Sequence, residues 1–142
     1  MDRAALDWAI ANHVPHGGWC PKGRRAEDGR LPRRYQLRET PSSGYSQRTR
    51  WNVRDSDGTL IFSGSKDLIG GTAMTVRTAL RLGKPLLHLW PRRRAPGAKL
   101  RKFLEANRIR VLNVAGPRAS EEAGLRDFVT AVLDAMVRAN LS

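Results

Sequence analysis

The 142-residue sequence predicts an α/β fold, a mostly parallel sheet with helices on both faces. Three observations predict it. Apolar, β-prone runs alternate with segments of helical period, as in Thr59-Leu60-Ile61-Phe62 followed by residues 72–82. Glycine-bearing loops join such runs to the helices after them. The final stretch, residues 120–139, sets Leu125, Phe128, Val129, Val132, Leu133, Met136 and Val137 on one apolar stripe.

Taken in order, residues 2–12 read as a helix, because Leu6, Ala9, Ile10 and His13 recur at helical spacing and Asp2 suits a first turn. Gly17 to Pro21 reads as a short strand ending at the proline. Residues 21–45 mix Gly, Pro, Ser and charges with no clean period; a stretch so long inside a compact domain is usually functional or mobile. Residues 46–54 suit a short helix opened by Ser46. Asp57-Gly58 is a turn signal ahead of the strand 59–62. Residues 72–82 form the next helix, with Gly83 at its C-terminal cap and Pro85 beyond. Residues 85–90 read as a strand buried on both faces, 98–106 as a helix and 109–114 as a strand. No internal repeat is visible.

At this length one domain spanning 1–142 is expected, with enough chain to bury a core. No run of about twenty apolar residues occurs, and the first residues lack a charged-then-apolar leader pattern, so a cytoplasmic protein without a membrane span is expected. Cys20, the single cysteine, has no disulfide partner within the chain, which fits a reducing compartment. The net charge of +13 raises the question of nucleic acid. Yet the basic residues are spread along the whole chain, and the only tight run is Arg92-Arg93-Arg94. A solvated basic surface with a preference for anions is the better reading, and a nucleic-acid-associated module ranks last.

Two segments share the order strand, glycine loop, helix start. The first runs from Leu60-Ile61-Phe62 through Ser63-Gly64-Ser65 to Gly70-Gly71-Thr72; the second is Asn113-Val114-Ala115-Gly116-Pro117-Arg118-Ala119-Ser120-Glu121. Glycine lets backbone N–H groups approach an oxyanion without a Cβ in the way, and a helix start supplies unpaired donors and partial positive charge. Thr72 is placed to cap its helix or to offer its hydroxyl, Ser120 to cap the other, and Arg118 to fork onto a phosphate. The candidate phosphate site is therefore Gly64, Gly70, Gly71, Thr72, Asn113, Gly116, Arg118 and Ser120. Arg48, Thr49 and Asn52 share one face if their segment is helical, and with Asp55 and Asp57 they suit ribose hydroxyls, a purine edge or a metal-bridged phosphate. Lys22 and Arg24 flank Cys20, where cations would favour a thiolate, although an inert cysteine is the commoner case. His13, His16 and His88 have neither triad nor metal spacing and read as structural.

The ordered set Asp2-Arg3-Ala4-Ala5-Leu6-Asp7, Gly18-Trp19-Cys20-Pro21-Lys22-Gly23-Arg24, Ala26-Glu27-Asp28-Gly29, Arg48-Thr49 with Asn52-Val53, Asp57-Gly58-Thr59-Leu60, Gly70-Gly71-Thr72 and Asn113 to Arg118 resembles the "putative molybdenum carrier" family, a circularly permuted branch of the SLOG superfamily. The resemblance spans nearly the whole chain. It implies a Rossmann-like fold, homo-oligomers (dimers or tetramers) and a ligand cleft at the glycine loops, with molybdenum cofactor or a nucleotide as the bound group. Family members begin with a strand and a Gly-Gly-Gln-Thr-Gly-Val loop before the first helix, whereas Met1 stands here in place of that Val. One strand and one phosphate loop of the family pattern are thus expected upstream of Met1.

Related cytokinin-activating phosphoribohydrolases carry an acidic residue soon after their Gly-Thr. Here Thr72 is followed by Ala73-Met74-Thr75-Val76-Arg77, with no carboxylate to serve as acid or base. The sequence therefore points to a non-catalytic carrier for a phosphate-bearing, nucleotide-like small molecule. The alternative is a metal-assisted nucleotide-processing enzyme using Asp55, Asp57 or Glu121.

Overall fold

A computed structural model describes residues 3–26, 28–68, 70–116 and 124–141. In chain order the elements are α1 (Arg3–Ala11), β1 (Trp19–Cys20), β2 (Arg25–Ala26), β3 (Gly29–Arg30), β4 (Arg38–Glu39), α2 (Tyr45–Arg54), β5 (Gly58–Phe62), α3 (Gly70–Arg81), β6 (Leu86–Leu89), α4 (Pro96–Ala106), β7 (Leu112–Ala115) and α5 (Leu125–Leu141). Three strands form the central sheet in the order β6-β5-β7, all parallel. Thr59 faces Leu86 on one side and Asn113 on the other. The alternation of strands and helices thus yields the α/β, Rossmann-like architecture that the sequence predicts.

Every residue of β5 is buried, so both faces of the sheet need cover. Side chains alternate along a strand. Leu60 and Phe62 point to one layer and join Ala4, Leu89, Leu100, Val129, Val132 and Leu133 in the main core, which α1, α4 and α5 complete. Phe62 meets Phe128 edge-on, with ring centroids 5.8 Å apart. Two glycines permit this packing. A Cβ on Gly58 would stand 2.5 Å from Ile109 Cδ1, and one on Gly97 would stand 2.9 Å from Ala135 Cβ, where α4 and α5 press together.

Thr59 and Ile61 point to the opposite layer, where α3 covers the sheet and α2 packs on α3. The buried side of α3 is built of small residues: Thr72, Thr75, Thr78 and Ala79. The hydroxyls of Thr75 and Thr78 donate to the carbonyls of Gly71 and Met74, so their burial leaves no donor unmet. Gly83 ends α3 at a φ of +67°, and the Lys84 amide reaches back 2.9 Å to the Ala79 carbonyl, as expected of a glycine cap.

Three local expectations are corrected. Helix α2 starts one residue earlier, behind Gly44 rather than at Ser46; Ser42 Oγ accepts the Gly44 amide, and Gln47 Oε1 accepts that of Ser42. Thr72 does not cap α3 but lies inside its first turn. Strand β6 is not buried on both faces: among the described residues it pairs with β5 alone, and of its four residues only Leu89 is fully buried. The apolar run of residues 85–90 suits a central strand, but that place belongs to β5.

Residues 19–39 hold two small pairings, β1 with β4 in parallel and β2 with β3 antiparallel. They are anchored by a second cluster of Leu6, Cys20, Leu31 and Tyr35. The Tyr35 hydroxyl donates to Asp7 on α1 at 2.6 Å. Asp7 also takes Arg126 of α5 at 2.5 Å.

Leu60 is fully buried in the main core. Leu60→Ala is expected to cost about 2–5 kcal/mol of unfolding free energy in denaturant titrations. Gly97→Ala is expected to cost about 1–3 kcal/mol, because the new methyl has no room between α4 and α5.

Candidate functional site

Strand β5 is connected through α3 to β6 on one side, whereas β7 lies on its other side. The carboxyl ends of β5 and β7 lie side by side at one edge of the sheet, the edge where α/β proteins of this kind bind their ligands. Ser63 and Gly64 to Leu68 follow β5 into this region, and Gly116 follows β7. Helix α3 begins there with Gly70-Gly71-Thr72. Its first amides have no partner within the helix itself. A Cβ built on Gly71 meets no atom within 4 Å, so open space adjoins the helix start.

Helix α2 opens toward the same edge. Its last residues lead within a short turn into the amino end of β5, and Lys84 Nζ, just past the end of α3, donates to the Ser56 carbonyl just past the end of α2, at 2.9 Å. The carboxy-terminal ends of both helices thus meet at the amino edge of the sheet. Their starts, with Arg48 in one and Gly70-Gly71 in the other, lie toward the carboxyl edge.

The candidate residues fall into distinct settings. At the amino edge, Asp57 Oδ2 accepts the amides of Arg110 and Val111, both at 2.9 Å. These two bonds hold its carboxyl below the usual range. Asp55 accepts the Trp19 indole N–H at 2.8 Å and pairs with Arg54. The Arg54 bond chiefly, with Trp19, lowers its pKa to about 2. Asn52 accepts the Trp19 amide at 2.8 Å and donates to the Trp19 carbonyl at 3.1 Å, pinning β1 to α2. Five residues of strand, roughly 15 Å, separate Asp57 from the loop after β5.

Arg24 is buried, and its guanidinium donates to the carbonyls of Leu31, Pro32, Tyr35 and Leu37. It folds the 24–37 segment around itself. Lys22 is exposed and Thr49 buried. Asn113 Nδ2 donates to Thr59 Oγ1 at 3.3 Å across the strands. Gly64 is exposed in the loop after β5. Arg118, Ser120 and Glu121 lie outside the described residues. Cys20 is buried, and that burial pushes its thiol pKa up rather than down, against the thiolate expected from its cationic neighbours.

Sequence reasoning missed one contact at this edge. Ser63 Oγ lies 2.5 Å from His88 Nε2 and donates to the Ser65 carbonyl at 2.6 Å, tying the first turn of the loop to β6. Desolvation, aided by Arg93, lowers the His88 pKa. The only sequence signal was a polar residue in the apolar run 85–90. The 25-residue separation from Ser63 concealed its partner. Among the described residues, no three His, Cys, Asp or Glu side chains converge as a metal cluster would require. No helix among them is long and apolar enough to cross a membrane.

A Rossmann-like sheet with glycine-lined starts at its carboxyl edge defines a class of ligand-binding α/β proteins. Residues 1–137 match the model of the circularly permutated YpsA SLOG family, and the chain belongs to that family. Its structure is similar to a crystal structure of "Putative molybdenum carrier protein" from Syntrophus aciditrophicus SB, with 46% sequence identity and a TM-score of 0.91 over 95% of this chain and 87% of the other. Curated proteins give no match.

The folded-state pKa of Asp55 lies below its ordinary 3.8, so its contribution is present above pH 4 and fades as pH falls toward 2. Asp55→Asn is expected to lower stability at pH 7 by at most about 1 kcal/mol, since the pair is partly exposed. The variant's melting temperature is expected to fall less steeply than the parent's between pH 4 and pH 2.

Proposed function

We propose that the chain is a non-catalytic binding or carrier protein for a phosphate-bearing small molecule. The molecule would be seated at the carboxyl edge of β5 and β7 against the start of α3. The single observation that carries this reading is the open space at Gly71, at the exposed glycine start of a twelve-residue helix that follows β5. The reading takes Gly64, Gly70, Gly71, Thr72 and Gly116 as the cradle, with Asn113, Arg118 and Ser120 on the β7 side. Family membership and the carrier name of the similar structure favour binding over turnover.

A nucleotide or the phosphate-bearing pterin of molybdenum cofactor suits such a cradle, because each offers a phosphate for the amides and a planar ring for the sheet edge. A cytoplasmic homo-oligomer, a dimer or tetramer, with 1–142 as one ligand-binding domain completes the reading. The absence of a carboxylate directly after Thr72 argues against hydrolysis at this loop. The metal-assisted alternative is less well supported, since Asp55 and Asp57 are already engaged at the far edge.

Native mass spectrometry of protein purified from its own cells is expected to show a co-purifying nucleotide or pterin. Turnover of a nucleotide panel with magnesium, lost in Asp57→Asn, would instead establish the enzyme. Gly71→Ala is expected to leave the fold intact, or to stabilise it by up to about 1 kcal/mol, because its methyl enters empty space within a helix. Gly71→Val is expected to weaken ligand binding at least about tenfold by blocking the amides. Unchanged binding in Gly71→Val would overturn the assignment of the cradle.

A further inference from the structure

We infer that Arg48 is the charge receptor for the anionic group of the bound molecule: its guanidinium, set on α2 facing the Cys20 end of β1, awaits a tetrahedral dianion such as a phosphate monoester. This rests on the carrier reading above and adds the residue that would neutralise the ligand's charge.

The Nε atom of Arg48 is buried and has no hydrogen-bond partner. That is uncommon for any polar atom and costlier for a charged group, since the protein itself supplies no acceptor for the donor. An arginine does not escape by losing its proton. Burial lowers its pKa, but a guanidinium stays protonated at neutral pH. Among the described residues no carboxylate stands within ion-pair distance of it. The thiol of Cys20, the ionisable neighbour on the strand side, is held neutral by its own burial.

A second cation increases the imbalance. The guanidinium carbons of Arg48 and Arg25 lie 5.2 and 5.1 Å from the centre of the same Tyr45 ring. Arg25 donates to the Ser43 carbonyl and, among the described residues, pairs with no carboxylate. Two positive charges on one ring, without an acid beside them, suit a doubly charged oxyanion better than a carboxylate. The planar fork of an arginine also matches two oxygens of a phosphate.

The position fits the proposed ligand. Arg48 lies one helical turn before Asn52, which clamps Trp19, so it faces the next stretch of the same strand. The start of α2 lies toward the carboxyl edge with the start of α3. Arg24 does not compete for the anion, since its donors are spent on backbone carbonyls.

The test is calorimetric titration with inorganic phosphate, paired with thermal melting, at ionic strength matched with sodium chloride. The full chain is compared with Arg48→Met, Arg48→Gln and Gly71→Val. Phosphate is expected to bind the parent and raise its melting temperature beyond the effect of chloride. In phosphate-free buffer Arg48→Met is expected to melt no lower than the parent, because an uncompensated charge has been removed. Its phosphate affinity is expected to fall at least about tenfold. Arg48→Gln is expected to show the same loss of phosphate affinity.

The inference is overturned by phosphate binding within twofold of the parent in the folded Arg48 variants, by a marked loss of stability in phosphate-free Arg48→Met, or by a parent that responds to phosphate no more than to chloride. If Gly71→Val loses phosphate while Arg48→Met keeps it, the cradle stands and Arg48 falls. The reverse pattern keeps Arg48 and removes the cradle.

Discussion

The structure depends on the complete burial of β5. A five-residue strand with Leu60, Ile61 and Phe62 wholly inaccessible has no solvated face, so layers must form above and below it. Leu60 and Phe62 recruit α1, α4 and α5 through large apolar contacts. The other face is closed by the threonine-rich side of α3, whose small side chains let the helix lie close to the sheet. Parallel neighbours on both edges of β5 then bring the carboxyl ends of all three strands to one edge of the sheet.

The two edges of this sheet treat polarity in opposite ways. At the amino edge, Asn52, Asp55, Asp57 and Lys84 spend their side chains on backbone or indole partners, and the edge is tied shut. Such bonds contribute modestly one by one, but each spares a polar group from being left without a partner. At the carboxyl edge the backbone is thinned to glycine and a helix start adjoins open space. The buried donor of Arg48, on the helix that starts toward this edge, has no partner. This contrast between the two edges is what supports the proposed anion site.

The segment 19–39 shows how a region without periodicity is nonetheless held. Its strands are only two residues long, too short to stabilise themselves. A buried Tyr35 bonded to Asp7 and a buried Arg24 bonded to four carbonyls do the holding instead. Arg24 also occupies a left-handed backbone conformation, at a φ of +55°. That is a strained choice for a non-glycine residue, and the surrounding bonds fix it.

The sequence by itself determined the elements whose signal is local. The Asp57-Gly58 turn, the apolar run 59–62, the helix ending at Gly83 and the long stripe of α5 were all legible, because periodicity and turn chemistry are written into neighbouring residues. So was the glycine start at 70–72, and the ordered motifs identified the family. Only the tertiary structure decided which apolar run would be central, making β5 the buried strand and β6 the edge, since burial depends on how many partners a strand acquires. It alone showed that Asn52, Asp55 and Asp57 are engaged with partners 33, 36 and more than 50 residues away. It alone paired Ser63 with His88 and left the buried Arg48 Nε without a hydrogen-bond partner among the described residues. The physical reason is the same in each case: a polar residue's role is set by what stands opposite it in space, and that is a property of the packed chain rather than of its local pattern.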